Sequence, residues 1–558
     1  MNTPKAAIEF VNVSFKYQSA DSLALDNINF KIHAGEFVVL TGLSGSGKST
    51  CIRVLNGLIP NFYGGIISGQ VLLYGQNIIG KSTHELARQV GFVFQNPDNQ
   101  LLMNDVENEI AFGLENIGVP TEQIQARIDS ALKIVGIEYL RGRSLTDLSG
   151  GEKQKIAIAA VLALEPKIIV LDEPTAELDP PSTEAILHYL HNLHAQTQIT
   201  VILIEHRLDR VIHHANRIII MENGRVIRNE HPQSLFQTDI NDMGITIPPI
   251  IKLGWWFRNH NFNISKIPLT LSDAKDEFFP FLSQLPITEK NNRYIRTPKD
   301  LKPLVELDGV SFEYTKNKKI FNNLSLYAYP GEFIGIIGYN GSGKTTLLKL
   351  INRLLRPTTG SVKINQKDIT KFSIAEIAHF VGYIFQNPGW QFYHDTLEEE
   401  FQFILRNLNF PANDHSSRIS RYLDQFQLNN LRKSYPRYLS WGQQQKAALA
   451  SVLMIEPQIL LLDEPTHGMD ERQKQHFMQF LHDYAKSGHL IFFITHDIET
   501  IAQYATRILF ISEGKTKYDG EPHLIFPQLP DFLPQLQQLV RISPEAPKNL
   551  ITMKDLEE

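Results

Sequence analysis

Two stretches constrain the fold of this chain more than any others. Residues 42–50 read Gly42-Leu43-Ser44-Gly45-Ser46-Gly47-Lys48-Ser49-Thr50, and residues 338–346 read Gly338-Tyr339-Asn340-Gly341-Ser342-Gly343-Lys344-Thr345-Thr346. Both fit G-x-x-x-x-G-K-[S/T], a phosphate-binding loop that belongs between a buried strand and a helix. The runs at 37–41 and 333–337 are short and apolar, which predicts the strand. Ile52, Leu55 and Leu58 then recur at helical spacing after the first loop. Glycine lets a backbone curl around an anion without strain. The inward N–H groups and the helix N-terminus supply partial positive charge. In this arrangement Lys48 and Lys344 reach terminal phosphates, and Ser49 and Thr345 offer hydroxyls to Mg²⁺. Gly42, Ser44, Gly45, Gly47 and Thr50 build the first cradle; Gly338, Asn340, Gly341, Gly343 and Thr346 build the second. A glycine-rich turn without ligand is the plainer alternative, and the strand–turn–helix context argues against it.

The loops are landmarks of a longer repeat. Gln95 and Gln386, Ser149 and Ser440, and Asp172 and Asp463 are each 291 residues apart. Tyr17 and Tyr314 are 297 apart, Lys48 and Lys344 are 296 apart, and His206 and His496 are 290 apart. Six landmarks in one order argue for a tandem duplication. At 558 residues, several domains are expected.

Each landmark has a chemical reading beside a bland one. Tyr17 and Tyr314 follow alternating strands, where an aromatic ring can stack on adenine or simply pack. Gln95 and Gln386 close apolar strands before Asn-Pro turns, where a Gln can hold a metal-bound water or merely end a strand. The runs at 168–172 and 459–463 are continuous and apolar, as in parallel strands buried on both faces. They end in Asp172-Glu173 and Asp463-Glu464. Burying such carboxylates without a cation is costly. Asp172 or Asp463 can anchor Mg²⁺, leaving Glu173 or Glu464 to orient or deprotonate water. His206 and His496 follow one further apolar strand and are placed to meet a terminal phosphate. Helical stretches at 106–146 and 397–438 run up to Ser149-Gly150-Gly151-Glu152 and Ser440-Trp441-Gly442-Gln443, both capping boxes. Besides capping, their Ser hydroxyls and the N–H groups near Gly151 and Gly442 can face a phosphate from outside.

Composition narrows the remaining options. The chain is 42% hydrophobic and 20% charged, and its charge of −6 gives no support for bulk nucleic-acid binding. The single cysteine, Cys51, allows no intrachain disulfide and fits helix packing. No signal-like segment or membrane-length apolar run is present, so membrane association is expected only through partners. His213 and His214 are expected on a helix-like stretch, exposed and not ligands. Between the repeats, an accessory subdomain rich in Trp255, Trp256 and Phe257 is expected to about Ala274, followed by an irregular connection. The expected boundaries are 1–228, 229–303, 304–540 with a C-terminal extension, and a frayed tail at 541–558.

The motif order resembles that of the ATP-binding-cassette ATPases over nearly the whole chain, with Leu148-Ser149-Gly150-Gly151-Glu152 as the discriminating sequence. The resemblance implies two tandem α/β P-loop NTPase cassettes. Each has a parallel-sheet core, an antiparallel β subdomain and an α-helical subdomain, and uses ATP and Mg²⁺. Residues 94–100 and 108–116 are most similar to ATPase subunits of energy-coupling factor transporters. This implies a peripheral subunit at the cytoplasmic membrane face, energising vitamin or transition-metal import. Its partners would be a transmembrane scaffold and a substrate-capturing membrane subunit. The family arrangement implies head-to-tail pairing of the cassettes within one chain. Each ATP then meets one cassette's phosphate loop and the other's signature. The signature contacts are charge-assisted, about 1.5–3 kcal/mol each, and a few suffice to drive closure. Hydrolysis then releases the pair.

Leu439-Ser440-Trp441-Gly442-Gln443 departs from this pattern, with Trp441 in place of the first glycine. The indole is expected to bring bulk to an ATP-facing surface, leaving the site of Lys344, Glu464 and His496 the faster of the two. A soluble ribosome-associated tandem-cassette ATPase is the alternative of another class. Its long charged linker is not matched by the aromatic, Pro-containing connection here. Fused ATPases of other importers are a nearer rival, but their second phosphate loop is typically degenerate and this one is complete.

Overall fold

The computed structural model describes residues 6–18, 20–176, 178–287, 301–315 and 319–556. They divide into two units, Met1–Phe281 and Leu282–Glu558. In the first come β1 (Ala6–Lys16), β2 (Leu25–His33), β3 (Phe37–Gly42), α1 (Lys48–Leu55), β4 (Ile66–Leu73), β5 (Gln76–Asn77) and β6 (Val90–Val93). Then follow α2 (Val106–Asn116), α3 (Thr121–Val135), α4 (Gly150–Ala163), β7 (Ile168–Asp172), α5 (Pro180–Thr197), β8 (Thr200–Ile204), β9 (Arg217–Glu222) and β10 (Arg225–Glu230).

Two sheets result. One is antiparallel, in the order β2-β1-β4-β5. The other runs β10-β9-β3-β8-β7-β6, parallel except for β10. Every residue of β3, β7 and β8 is buried, because helices and the antiparallel sheet cover both faces. β3 lies between β8 and β9, and β7 is the next strand after β8. The carboxyl ends of β3, β7 and β8 therefore bring 42–50, 172–173 and 205–206 together, where ligands bind in open α/β sheets.

α2, α3 and α4 form a separate helical cluster around Ile110, Leu132 and Ile156. Ile128, Ala131 and Leu132 make the buried stripe of α3. Gly136, with φ 68°, ends that helix in the left-handed conformation.

α6 (Pro249–Asn259) and α7 (Leu271–Phe278) complete the first unit. Residues 250–257 are thus helical, with Pro249 at a position where its missing N–H costs little. The helix α7 continues past Ala274, where an irregular connection was expected. Phe278 holds it in place, packing 4.9 Å from Phe257, with Phe281 at 5.9 Å. The expected connection at 288–300 lies outside the described residues.

The second unit repeats the plan. Its strands are β11 (Val305–Glu313), β12 (Lys319–Ala328), β13 (Phe333–Ile337), β14 (Thr359–Ile364), β15 (Lys367–Asp368), β16 (Val381–Ile384), β17 (Ile459–Asp463), β18 (Leu490–Ile494), β19 (Arg507–Ser512) and β20 (Lys515–Gly520). They form sheets β12-β11-β14-β15 and β16-β17-β18-β13-β19-β20. Its main helices are α8 (Lys344–Ile351), α9 (Leu397–Asn407), α10 (Ala412–Gln425), α11 (Trp441–Leu453), α12 (Glu471–Lys486) and α13 (Gln535–Ile542).

The stretch after Val540 is not a frayed tail as far as Leu556. α13 runs through position 541, and Leu550, Ile551 and Leu556 are buried. The Gln537 amide donates to the carbonyls of Lys548 and Leu550 at 3.0 and 2.8 Å. Asp555 accepts from the N–H groups of Ile551 and Thr552. Apolar burial and satisfied backbone groups hold the segment in place. His213 and His214 lie on turns, not on a helix. His213 is exposed, but His214 is half-buried between the rings of His213 and His191, at 3.8 and 4.2 Å. Burial, aided by the neighbouring imidazoles, pushes its pKa down to about 3.

Candidate active site

Each phosphate loop folds as its glycines require. Gly42 has φ 142°, and a Cβ there would stand 2.1 Å from the Met221 carbonyl. Gly47 caps α1 at φ 98°, with the Ala24 carbonyl 2.5 Å from a Cβ position. No side chain fits either point without displacing backbone. By contrast, a Cβ on Gly45 or Gly341 meets nothing within 4 Å, so these two positions border open space. Lys48 is buried and donates to the Gly42 and Leu43 carbonyls at 3.0 and 2.9 Å. Lys344 does the same to Gly338 and Tyr339 at 2.8 and 3.0 Å. Ser44 and Asn340 are half-buried in their loops.

Polar groups converge below the loops. The Ser49 hydroxyl donates to Asp172 Oδ1 at 3.4 Å, and the Thr345 hydroxyl to Asp463 Oδ2 at 2.7 Å. Burial, then the Glu173 charge, pushes Asp172 up to about 6, against Arg53, Ser49 and Lys48. Burial raises Asp463 as well. A buried carboxylate held away from its charged form, next to a hydroxyl, fits a cation. Mg²⁺ takes one or two such protein ligands and completes its shell with water and phosphate oxygens.

Glu173 and Glu464 adopt φ of 47° and 50°, uncommon for a non-glycine residue. Their N–H groups donate to Ile204 and Ile494 at 3.1 and 3.0 Å, fixing the turn after β7 and β17. Glu173 Oε1 is 3.0 Å from His206 Nε2, and its Oε2 accepts from the Gln95 amide at 3.0 Å. In the second unit Glu464 Oε1 is 3.4 Å from His496 Nε2, while Gln386 is exposed. Burial and the Asp463 charge push Glu464 up to about 8.

The tyrosines stand where the repeat predicts, and both make the same contact. Tyr17 shares a hydrogen bond with Thr50 Oγ1 at 3.0 Å, and Tyr314 with Thr346 Oγ1 at 3.1 Å. Each ring is thereby held against the helix that follows its phosphate loop.

Ser149 and Ser440 cap α4 and α11 through reciprocal bonds with Glu152 and Gln443. Both serines are exposed, while Gly151 and Gly442 are buried. Trp441 does not project as expected. Its indole packs edge-to-face on His467 at 5.2 Å, and a Cβ on Gly468 would be 2.7 Å from its Cδ1. The turn after β17 thus takes up part of the bulk, and Trp441 is half-buried within its own unit.

Glu205 was not singled out from the sequence. Its carboxylate accepts from the N–H groups of His206 and Arg207 at 2.9 and 3.0 Å, and from Thr175 at 2.6 Å. It fixes the backbone that carries the His206 imidazole. The available signal was a carboxylate closing the apolar run at 200–204; Thr495 stands there in the second unit.

Comparison with known proteins gives the family of the chain. The family model ABC_tran, ABC transporter, matches residues 25–176 and 321–467. An ABC transporter ATP-binding relative from Methanosarcina mazei is 36% identical over 537 residues, covering 93% of this chain and 90% of its own length. One from Caldanaerobacter subterraneus subsp. tengcongensis is 35% identical over 523 residues, covering 92% and 91%. A solved structure of cbiO1 from Clostridium perfringens, part of the ABC transporter complex cbiONQ, is 35% identical with a TM-score of 0.38. It covers 42% of this chain and 91% of its own. The chain belongs to the ABC transporter ATP-binding family and carries two of its ATP-hydrolysing cassettes.

Proposed function

We propose that this chain is the ATPase subunit of an energy-coupling-factor-type importer for a vitamin or a transition metal. It works at the cytoplasmic face of the membrane with a transmembrane scaffold subunit and a substrate-capturing membrane subunit. The importer class rests on the resemblance of residues 94–100 and 108–116. The observation that carries the ATPase role is the Glu–His pair behind a phosphate loop and a buried Asp, present in both units. No helix among the described residues is long and apolar enough to cross a membrane, which fits action through partners.

In this reading Lys48 and Lys344 turn from their own loop carbonyls to the terminal phosphates, and the open glycine faces admit them. Tyr17 and Tyr314 stack on adenine. Ser49, Asp172 and Gln95, with Thr345, Asp463 and Gln386, hold Mg²⁺ and its water. When bound, Mg²⁺ neutralises charge on the phosphates. Glu173 and Glu464 take the proton of the attacking water, and His206 and His496 donate to the terminal phosphate. Ser149 with Gly151, and Ser440 with Gly442, bind the terminal phosphate of the opposite cassette when the two pair.

A mechanical route leads outward from the first site. Gln95 precedes the turn at Pro97–Asn99. Asp98 of that turn pairs with Lys153 of α4 at 2.7 Å, tying the Gln95 loop to the signature helix. Leu102, Trp390, Tyr393 and Tyr438 are exposed apolar residues near such loops and suit a membrane-protein partner.

Affinity purification of the full chain from membranes, with identification of bound subunits, tests the proposal. Two integral membrane proteins are expected. Recovery with ribosomes and no membrane protein would overturn it.

A further inference from the structure

The two repeats differ in length beside one nucleotide site. The offset between them is 296 at Asn56 and Asn352 but 291 at Gly69 and Gly360. These glycines are equivalent in space. A Cβ on Gly69 would stand 2.3 Å from the Asn12 carbonyl oxygen of β1, and one on Gly360 2.4 Å from the Gly309 carbonyl oxygen of β11. The first unit therefore has five extra residues between α1 and β4, in the stretch that contains Phe62 and Tyr63. The second unit has no aromatic residue between Asn352 and Gly360.

The longer connection is pressed against the end of β1. Ile66 pairs with Lys16. A Cβ on Gly65, at φ 120°, would stand 2.4 Å from the Lys16 carbonyl oxygen, so only glycine fits there. A Cβ on Gly64 would be 3.6 Å from Gln18 Oε1. This course brings Tyr63 beside Tyr17, with ring centres 6.5 Å apart and planes at 88°. The Arg53 guanidinium of α1 lies over the Tyr63 ring at 4.9 Å and ties it to the helix that follows the phosphate loop. Phe62 packs edge-to-face on Tyr63 at 5.2 Å.

The rest of the surroundings is the same in both units. Tyr17 is held by Thr50 and packs edge-on against the buried Phe15 at 4.8 Å. Tyr314 is held by Thr346 and packs edge-on against Phe312 at 4.9 Å. Only the third ring is missing, and Tyr314 is exposed where Tyr17 is partly buried. Phe62 and Tyr63 remain 76% and 40% exposed, so apolar ring surface faces solvent beside Tyr17.

We propose that Phe62 and Tyr63 form a second aromatic wall for the nucleobase of the first site, a wall the second site lacks. This rests on the reading that the base stacks on Tyr17. Two rings at a right angle make a corner. A purine lying flat on Tyr17 turns its edge to Tyr63, and edge-to-face contact is a favoured arrangement of aromatic rings. Arg53 and the close-packed Gly65 fix the corner before the base arrives, so little ordering cost falls on binding. The first site therefore holds ATP more tightly than the second, through the base and not through the phosphates.

Calorimetric titration of the full-length protein with ATP tests this, with Lys344→Ala to report the first site and Lys48→Ala to report the second. Phe62→Ala/Tyr63→Ala should weaken ATP at the first site about 3–10-fold and leave the second unchanged. Inorganic tripolyphosphate, which has no base, should bind the first site equally with and without the two rings. Unchanged ATP affinity at the first site, equal loss at both sites, or equal loss for ATP and tripolyphosphate would overturn the wall. Tyr17→Ala, measured alongside, separates this from the base-stacking reading. A loss with Tyr17→Ala alone overturns the wall and leaves the stack standing, and no loss with either variant overturns both.

Discussion

Glu173 and His206 stand 3.0 Å apart, carboxylate oxygen to imidazole nitrogen, at the ends of neighbouring strands β7 and β8. The matching pair Glu464–His496 is 3.4 Å apart on β17 and β18. Each pair depends on a strained turn after a buried strand, and each lies behind a phosphate loop. The two cassettes thus have the same reactive pair on the same register.

Removing both carboxylates should stop turnover while leaving nucleotide binding in place. Glu173→Gln/Glu464→Gln is expected to lose at least ~100-fold in ATPase rate, the usual contribution of a general base. Labelled-ATP binding should remain within a few-fold of wild type. A double variant retaining a tenth of the rate would take the base role away from both residues.

Glu464 makes a pH prediction for the nucleotide-free protein. Its ordinary value of 4.5 is pushed up to about 8, so the folded state favours the protonated carboxyl. The stability of that form is fully present below about pH 4.5 and is lost as pH rises through about 8. Glu464→Gln has no charge to bury. It should melt close to wild type at pH 5 and several degrees higher at pH 8.5, since ~1 kcal/mol moves a unit of this size by about 2–4 °C. Equal melting differences at both pH values would contradict the burial of this charge.

Trp441→Gly restores the family signature but removes an indole packed on His467 and Gly468. A cost of ~2–3 kcal/mol is expected, below the range for a fully buried Trp because this one is half-buried. Thermal melting measures that cost. The ATPase rate of the folded variant should stay within about 2-fold of wild type. A several-fold faster enzyme with unchanged melting would mean that the indole obstructs the nucleotide after all.

Tyr17→Ala and Tyr314→Ala should each raise the apparent KM for ATP by about 2–10-fold, the value of one aromatic stack. Tyr17→Phe removes only the hydrogen bond to Thr50 and should have a smaller effect. Equal effects of Phe and Ala would assign the residue to loop support through its hydroxyl and not to the base.

Leu550→Ala tests the C-terminal segment. Leu550 is fully buried, and its carbonyl accepts from Gln537. A loss of ~2–4 kcal/mol is expected in chemical denaturation. A change below 0.5 kcal/mol, about the limit for exposed positions, would return the segment to the status of a loose tail.

The sequence by itself determined the two-cassette plan. Glycine spacing, continuous apolar runs ending in acids, and capping boxes are local signals, and each states its own backbone requirement. Hence Gly42, Lys48, Asp172, Glu173 and Ser149 were legible, and so was their duplication. Tertiary structure decided what depends on neighbours distant in the chain. It turned Trp441 onto His467, buried 550–556, placed His214 between two imidazoles, and made Glu205 the anchor of the His206 backbone. The physical reason is that a side chain's direction and burial are set by packing across the fold, whereas backbone-dictated motifs are set within a few residues.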